Sequence, residues 1–286
     1  MLTHPIVELL HGLGLHDMAK GFRALEQSPD VRSLEHAEWL SLILEYEVTT
    51  RQQKRFDARV KAARMRYQAR VEDVDYRAPR GLDRALFLKL TSNDWIRKHR
   101  NCLVVGPTGV GKTWLCCALG DKACREDFSV AYHRVPRLFT ALSMAHGDGR
   151  YAKMLRTLSR VDLLILDDWG PEVLTAQQRR DLLEIVEDRY NARSLLITSQ
   201  IPVKQWYDII GNPTLADAIL DRIVHNAYRI ELSGESMREA IDGDADTACR
   251  SYPRHQHPPQ IDSRPGLCRA CRRCLSGDNP GGRFSS

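Results

Sequence analysis

The octapeptide GPTGVGKT at residues 106–113 constrains the fold of this chain more than any other feature of the sequence. It matches G-x-x-x-x-G-K-[ST] at every fixed position, and it lies between an apolar run typical of a buried strand, CLVV, and a helical pattern, TWLCCALGDKACRE. Glycines let such a loop curl so that successive N–H groups face an anion, and the helix presents its positive end to the same anion. The sequence therefore predicts a loop that binds the phosphates of ATP rather than a chance glycine-rich turn.

We expect the nucleotide to contact the loop, the residue after it and one polar strand end. The predicted ATP-binding residues are Gly106, Pro107, Thr108, Gly109, Val110, Gly111, Lys112, Thr113, Trp114 and Gln200. Lys112 is expected to reach the β- and γ-phosphates, and Thr113 to offer its hydroxyl to Mg²⁺. Gln200 ends the run SLLITSQ, in which Thr198 and Ser199 are alternatives for a contact to the γ-phosphate or the attacking water.

The stretch VDLLILDDWG supplies the second half of the predicted site, because it ends an apolar run in two acids. Asp167 is expected to hold Mg²⁺, directly or through water, and Asp168 to orient or polarise the attacking water. Two adjacent carboxylates at the end of an apolar strand are costly to bury without a cation, which favours this interpretation over a solvated turn. The sequence thus predicts an ATPase that uses Mg²⁺, with Lys112 and Asp168 in catalysis.

Short apolar runs alternate with helical patterns downstream of residue 82. The predicted strands are CLVVG, SVAYHRV, DLLILDD, SLLITSQ and AYRIEL. Apolar runs between helices predict a parallel sheet that is covered on both faces, hence an α/β fold. We divide the chain into a helical N-terminal DNA-binding domain at residues 1–75, an ATPase core at 76–241, and a tail at 242–286 that we predict to be disordered.

Composition limits the cellular setting. No run approaches the roughly 18 to 20 apolar residues that a membrane span needs, and the N-terminal stretch lacks the basic region of a signal peptide. Four cysteines fall in predicted core elements: Cys102, Cys116, Cys117 and Cys124. We therefore expect a cytoplasmic protein with reduced thiols and no membrane partner. The tail has zinc-like spacing at Cys268, Cys271 and Cys274, but no apolar shell accompanies it, so an unstructured tail with free thiols is favoured.

Positive charge is concentrated in residues 51–70, which carry eight Arg or Lys and one acid in a chain whose net charge is only +5. We predict that this segment is one helix, with its apolar residues on one face and its arginines in a ridge on another. The cations predicted to contact DNA are Arg51, Lys54, Arg55, Arg59, Arg66 and Arg70. Arginine suits phosphate contacts, which give affinity without sequence preference. The alternatives are a solvated helix face or, more weakly, a membrane surface.

Taken together, the phosphate loop, LLILDDWG, LLITSQIPVKQWYDIIG and PTLADAILDRIVHNAYRIELSGESMR resemble the IstB-like ATPases. The joint YRAPRGLDRALF is also similar to that family, and the resemblance covers residues 5–240. It implies an AAA+ P-loop core behind a small helical domain, and kinship with DnaC-type helicase loaders and with DnaA. It further implies a homo-oligomer that assembles with ATP on double-stranded DNA and recruits a cognate transposase.

The resemblance also assigns roles to two arginines. Arg222, in ILDRIV, aligns with the arginine that reaches a neighbouring subunit's ATP. Arg238, in GESMR, would sense the phosphates in its own subunit, although the lid that carries such a sensor is reduced in this group. The leading hypothesis is an ATPase that assists transposition, and the second is a DnaC-like helicase loader. The uniform charge of residues 51–70 favours the first. A third, a DNA-binding remnant without activity, conflicts with the intact loop and acid pair.

Overall fold

The structure is a computed structural model that describes residues 4–27, 35–170 and 172–237. Within these ranges no helix is both long enough and apolar enough to cross a bilayer. The predicted tail, its cysteines and Arg238 lie outside the described residues.

Three helices form the N-terminal region: α1 (Pro5–Gly12), α2 (His16–Glu26) and α3 (His36–Ala63). Helix α1 begins with a proline at its first position and α3 begins with a capping box between Glu35 and Glu38, both of which favour helix initiation. A small apolar cluster holds the three together, and its buried members are Val7, Leu10, Ala19, Phe22 and Ile43. The predicted helical N-terminal region is confirmed.

Helix α3 is long enough to belong to both halves of the protein. Its second half packs Phe56, Val60 and Ala63 against the core, so the apolar stripe of the cationic segment docks there. The prediction of one helix over residues 51–70 is wrong beyond Ala63, because Arg64 adopts a left-handed backbone with φ of 52° and ends α3. Beyond Ala63 the chain packs Ala69 against Cys117 and Ala118.

A parallel sheet follows, and its strands are β1 (Asn101–Val105), β2 (Val130–Arg134), β3 (Leu163–Trp169), β4 (Ser194–Ser199) and β5 (Ala227–Glu231). They lie in the order β2-β3-β4-β1-β5. Each coincides with a predicted strand, so the predicted parallel sheet is confirmed. The connection from β1 to β2 crosses over β4 and β3, so β1, β4 and β3 lie side by side. Because these strands are parallel, their carboxyl ends meet at one edge of the sheet.

Helices cover both faces of the sheet. They are α4 (Arg84–Thr91), α5 (Asp94–Arg97), α6 (Lys112–Arg125), α7 (Val135–Gly147), α8 (Tyr151–Arg160), α9 (Ala176–Arg189), α10 (Trp206–Ile210) and α11 (Pro213–Val224). Successive strand residues point to opposite faces. Leu103 and Leu164 therefore join a cluster with α7 to α11, whereas Val104 and Ile165 join a cluster with α3 to α6.

The cysteines of the core behave as small apolar residues. Cys102, Cys116, Cys117 and Cys124 lie in core elements, as predicted, and are buried free thiols. Burial raises the pKa of Cys102 and of Cys124 to about 12, so these thiols stay protonated.

Candidate nucleotide site

The phosphate loop joins β1 to α6 and is covered by the segment that follows β5. Leu232 N donates to the carbonyl of Val105 at 2.7 Å, and Met237 N donates to the carbonyl of Gly109 at 3.2 Å. A Cβ at Gly106 would meet the carbonyl oxygen of Leu232 at 2.5 Å, and one at Gly109, whose φ is +92°, would meet Ser236. The glycines are thus required by this close approach as well as by the curl of the loop.

Lys112 is nearly buried at the start of α6. Its Nζ donates to the carbonyl oxygens of Gly106 and Pro107, each at 2.7 Å, so the ammonium bonds to the loop itself. Burial lowers the pKa of Lys112, and the nearby carboxylates of Asp168 and Asp167 oppose that shift. The loop therefore holds a partly desolvated cation where phosphate oxygens are expected.

Asp167 is fully buried, and only neutral hydroxyls of the described residues donate to it. Its Oδ1 accepts from Thr113 Oγ1 at 2.9 Å and from Thr198 Oγ1 at 2.6 Å, and its Oδ2 accepts from Tyr132 OH at 2.6 Å. Burial and the bond to Asp167 raise the pKa of Tyr132. A buried carboxylate beside hydroxyl oxygens is a donor set that suits Mg²⁺, so Thr113 and Asp167 fit the metal predicted for them.

Asp168 lies at an irregularity in β3, where the register against β4 shifts. Its φ is +60°, which is uncommon for residues other than glycine, and its backbone N donates to Thr198 Oγ1 at 3.0 Å. This conformation turns the carboxylate toward Arg134 at the end of β2. Arg134 donates to Asp168 Oδ2 from Nε at 2.9 Å and from Nη2 at 2.6 Å, and this pairing raises the pKa of Arg134.

A cleft of about 580 Å³ opens in front of these groups. Seven of the predicted ATP-binding residues line it, namely Thr108, Gly109, Gly111, Lys112, Thr113, Trp114 and Gln200. Gly106 and Pro107 instead hold Lys112 from outside the lining, and the Val110 side chain is buried in the core. The loop and Asp168 therefore face one nucleotide-sized space, as expected for pockets of this class.

The opposite wall of the cleft comes from the joint between α3 and α4, which sequence reasoning did not assign to the nucleotide. Its lining residues are Arg66, Tyr67, Asp73, Asp75 and Arg80. Arg80 is buried, donates from Nη2 to the carbonyl of Asp75 at 3.0 Å, and has no partner for Nε among the described residues. Burial lowers its pKa. Arg80 makes no ion pair among the described residues, although the charge of Asp75 opposes the fall in its pKa, so a second cation lies at the cleft.

The three polar residues that end SLLITSQ make different contacts. Gln200 Oε1 accepts from Thr108 Oγ1 at 2.7 Å and faces the cleft at the tip of the loop. Thr198 is buried and bridges Asp167 to the backbone of Asp168. Ser199 donates to the carbonyls of Trp169 and Ile201 and faces away from the cleft lining.

For Tyr132 and Arg134 the sequence offers one signal, which places them at the correct edge of the sheet but does not pair them with particular acids. The carboxyl ends of parallel strands meet at one edge of the sheet, so polar residues that end SVAYHRV and SLLITSQ belong near the acids that end DLLILDD. Arg80 and Tyr67 lie in the joint between α3 and α4, and no local signal marks them as residues of the cleft.

Arg222 lies away from this cleft. It is near the end of α11, whose last carbonyls accept from Asn101 at the start of β1. Its Nη1 donates to the carbonyl of Ala218 at 2.7 Å, and its Nη2 lies 3.1 Å from Glu187 Oε1. Because the loop follows the other end of β1, Arg222 does not line the nucleotide site of its own chain.

The six cations predicted to contact DNA do not form one ridge. Arg51 pairs with Glu47, and Lys54 pairs with Asp17. Arg59 donates to the carbonyl of Cys124 at 2.8 Å and pairs with Asp127 at 2.6 Å. Arg66 lines the nucleotide cleft, beyond the end of α3. Arg55 and Arg70 remain exposed.

A parallel sheet in this order, with a phosphate loop after β1 and an acid pair at β3, defines a P-loop ATPase of the AAA+ class. The profile of the IstB-like ATP binding proteins matches residues 8–244. The chain therefore belongs to the IstB-like family and is an ATP-binding ATPase.

Similar proteins come from insertion sequences. The insertion sequence ATP-binding protein y4pL of Sinorhizobium fredii is 60% identical over 83% of this chain and 97% of its own length. The IS1162 ATP-binding protein of Pseudomonas fluorescens is 45% identical over 71% of this chain and 88% of its own length. The solved structure of DnaI is 24% identical over 58% of this chain and 91% of that chain, with a TM-score of 0.51, a likeness that concerns the fold alone.

Proposed function

We propose that this chain is an ATP-dependent DNA-binding helper that assembles on target DNA and assists a transposase. The observation that carries the proposal is the 60% identity, over nearly the whole of that relative, to an insertion-sequence ATP-binding protein. The intact phosphate loop supports the ATP dependence, and the positive charge of residues 51–70 supports contact with nucleic acid. We place this function in the cytoplasm, where ATP and DNA are both present.

In the proposed reaction the chain's own groups position the triphosphate. Lys112 leaves the carbonyls of Gly106 and Pro107 and donates to phosphate oxygens, while the loop N–H groups and the N-terminus of α6 hold the same anion. Thr113 and Asp167 would hold Mg²⁺, which neutralises charge between the β- and γ-phosphates when bound. Asp168 orients the attacking water, and Gln200 contacts the γ-phosphate or that water.

ATP acts in this proposal as an assembly switch that is hydrolysed slowly. Arg222 is exposed enough to meet a second chain and lies at the strand ends remote from its own loop. We therefore assign it to the nucleotide of a neighbouring subunit in a homo-oligomer. Hydrolysis would then weaken the assembly on DNA after the transposase has been recruited.

Two measurements test the proposal together. Duplex DNA of arbitrary sequence should bind more tightly, and in larger assemblies, with a non-hydrolysable ATP analogue than with ADP. If five or six phosphates are neutralised, log K should fall with log[salt] at a slope of about −5. The Arg55→Ala/Arg70→Ala variant should flatten that slope by about 2.

Strand transfer by the cognate transposase should require this chain and ATP, and should be lost with Lys112→Ala. DNA binding that ignores the nucleotide, or strand transfer that ignores the chain, would overturn the proposal. A stable complex with a replicative helicase but none with the transposase would identify a helicase loader instead.

A further inference from the structure

The guanidinium of Arg80 is buried at the nucleotide cleft with most of its donors unused. The residue is 4% exposed, and a guanidinium has five N–H donors. Among the described residues one oxygen accepts from it, the carbonyl oxygen of Asp75, which lies 3.0 Å from Nη2. Nη1 donates to the sulfur of Met237 at 3.6 Å, a weak acceptor, and Nε has no partner in that part of the chain. A buried cation in this state costs stability until a better acceptor binds.

Arg189 shows how the same chain satisfies a buried arginine that supports the fold. It is 1% exposed at the end of α9, and burial lowers its pKa to about 9. Its two Nη atoms donate to carbonyl oxygens of four residues between α8 and β4, namely Leu158, Val161, Asp162 and Ser194. The described residues supply no such set of carbonyls to Arg80, so support of the fold does not explain its guanidinium.

Arg80 is held against the last glycine of the phosphate loop. A Cβ on Gly111 would lie 2.9 Å from Nη1, so the guanidinium leaves no room for a side chain there. The segment that covers the loop also fixes the backbone of Arg80, whose carbonyl oxygen accepts from Ser233 N at 2.9 Å. Gly111 precedes the first turn of α6, and the N-terminus of a helix attracts anions. The cation therefore lies where the loop is expected to hold phosphate.

Lys112 and Arg80 lie on different sides of this phosphate site. Burial lowers the pKa of Lys112, and the charges of Asp168 and Asp167 oppose that shift. Burial also lowers the pKa of Arg80, but the carboxylate that opposes it is Asp75, in the joint that forms the other wall of the cleft. Lys112 is thus the cation beside the acid pair, where the γ-phosphate is expected. Arg80 faces the part of the triphosphate that is closer to the ribose.

We propose that Arg80 is a nucleotide-binding residue whose guanidinium donates to the α-phosphate. The available donors are Nε, which has no partner among the described residues, and Nη1, which meets a sulfur. A phosphate oxygen is a charged acceptor and forms a stronger bond than either group now makes. The bond from Nη2 to Asp75 can persist, so the joint between α3 and α4 stays attached to the bound nucleotide. The inference requires that the cleft binds ATP, and it is independent of the proposed action on DNA.

The test measures the affinity of the full chain for ATP and for ADP without DNA, by displacement of a fluorescent ADP analogue. Arg80→Met keeps the length of the side chain and removes its charge. Both affinities should fall at least about tenfold and by the same factor, because both nucleotides carry the α-phosphate and the lost bond is charge-assisted. Arg80→Lys, which keeps a positive charge without the planar fork, should recover part of the loss.

A modified nucleotide identifies the phosphate. ADPαS carries sulfur in place of one α-phosphate oxygen, and sulfur is the weaker acceptor. The wild-type chain should bind one of the two ADPαS diastereomers more weakly than ADP, and Arg80→Met should lose that discrimination. Equal discrimination by both chains would place the contact at another phosphate and overturn the inference.

The stability of the nucleotide-free chain separates binding from support of the fold. Arg80→Met removes a poorly satisfied buried cation, so its urea midpoint should equal or exceed that of the wild-type chain. Arg189→Met should lower the midpoint, because four carbonyl oxygens lose their donor, and its folded chain should keep the ADP affinity. Arg77→Met removes an exposed charge from the same joint and should change neither quantity.

Three results would overturn the inference. Unchanged affinity of Arg80→Met for both nucleotides would remove Arg80 from the site, and a loss confined to ATP would assign it to the γ-phosphate. A midpoint as low as that of Arg189→Met, without recovery in Arg80→Lys, would make Arg80 a support of the fold. Should Arg80→Met fail to fold, Arg80→Gln takes its place, since its amide can still donate to the carbonyl of Asp75. Nucleotide binding through Arg80 in a chain that ignores DNA would refute the proposed function alone.

Discussion

At the scale of single residues, Lys112 bonds to the phosphate loop that carries it. Two loop carbonyls accept from Nζ, and ATP must replace both of them. Lys112→Ala should weaken ATP binding at least about tenfold, because charge-assisted hydrogen bonds contribute about 1.5–3 kcal/mol. Isothermal titration with ATP measures this, with exposed Lys153→Ala on α8 as the charge-matched control. Wild-type ATP affinity in a folded Lys112→Ala chain would show that this loop does not bind the phosphates.

Asp168 permits a cleaner substitution than most catalytic acids. Asparagine tolerates the left-handed backbone that Asp168 adopts, so Asp168→Asn removes the charge and keeps the conformation. ATP binding should be retained, and hydrolysis should slow by about 10²- to 10⁴-fold, the usual contribution of a positioned acid or base. Steady-state phosphate release measures the effect, with exposed Asp217→Asn as the control. Turnover close to wild type would mean that another group orients the attacking water.

At the scale of elements, a contact between α3 and α6 is expected to stabilise the fold. Arg59 donates to the carbonyl of Cys124, one of the last carbonyls of α6, and thereby caps the helix that follows the phosphate loop. Arg59→Ala should lower the free energy of unfolding by about 1–3 kcal/mol, since it removes a charged bond and an ion pair. Arg55→Ala, one turn earlier and exposed, should change it by less than about 0.5 kcal/mol.

Urea unfolding of the two variants decides whether Arg59 is structural. Equal midpoints would mean that the bond to α6 contributes nothing. The two arginines of this pair differ in what they contact. Arg59 is engaged with the core, whereas Arg55 keeps its charge available to an external anion.

The three central strands, β3, β4 and β1, were predictable because each contains an apolar run long enough to cross a buried sheet and is bounded by polar residues. The end of α3 was not predictable from periodicity, since RMRYQAR continues the helical spacing of the preceding residues. Contacts distant in sequence override that pattern, because Ala69 packs on Cys117 and Ala118 of α6. Helix propensity is a weak preference that tertiary packing readily reverses.

The nucleotide site likewise contains residues that the sequence could place and residues that it could not. Lys112, Thr113 and Asp167 were placed correctly relative to one another because a fixed spacing and a strand end determine their positions. Arg80 lines the same cleft because the joint between α3 and α4 packs beside it. Arg134 contacts Asp168 only because β2 lies next to β3. Strand order is a property of the whole sheet, so no local window of sequence reveals that pair.

At the scale of the whole molecule, the sheet separates the phosphate loop from Arg222. The phosphate loop follows the carboxyl end of β1, whereas Asn101 at its amino end bonds to the last turn of α11, which carries Arg222. A strand of five residues spans roughly 15 Å at about 3.3 Å per residue. Arg222 therefore reaches a nucleotide only if a second chain brings its own cleft to that end.

This geometry makes the role of Arg222 testable by mixing two inactive variants. Arg222→Ala should bind ATP normally but assemble poorly and hydrolyse little, because an arginine that stabilises transition-state charge across an interface is missing. Lys112→Ala keeps Arg222 but lacks a working nucleotide site. In mixed oligomers some interfaces pair an intact cleft with an intact arginine, so hydrolysis should rise above that of either variant alone. Sedimentation with differently labelled chains verifies mixing; mixed oligomers as inactive as both parents would show that Arg222 does not act between subunits.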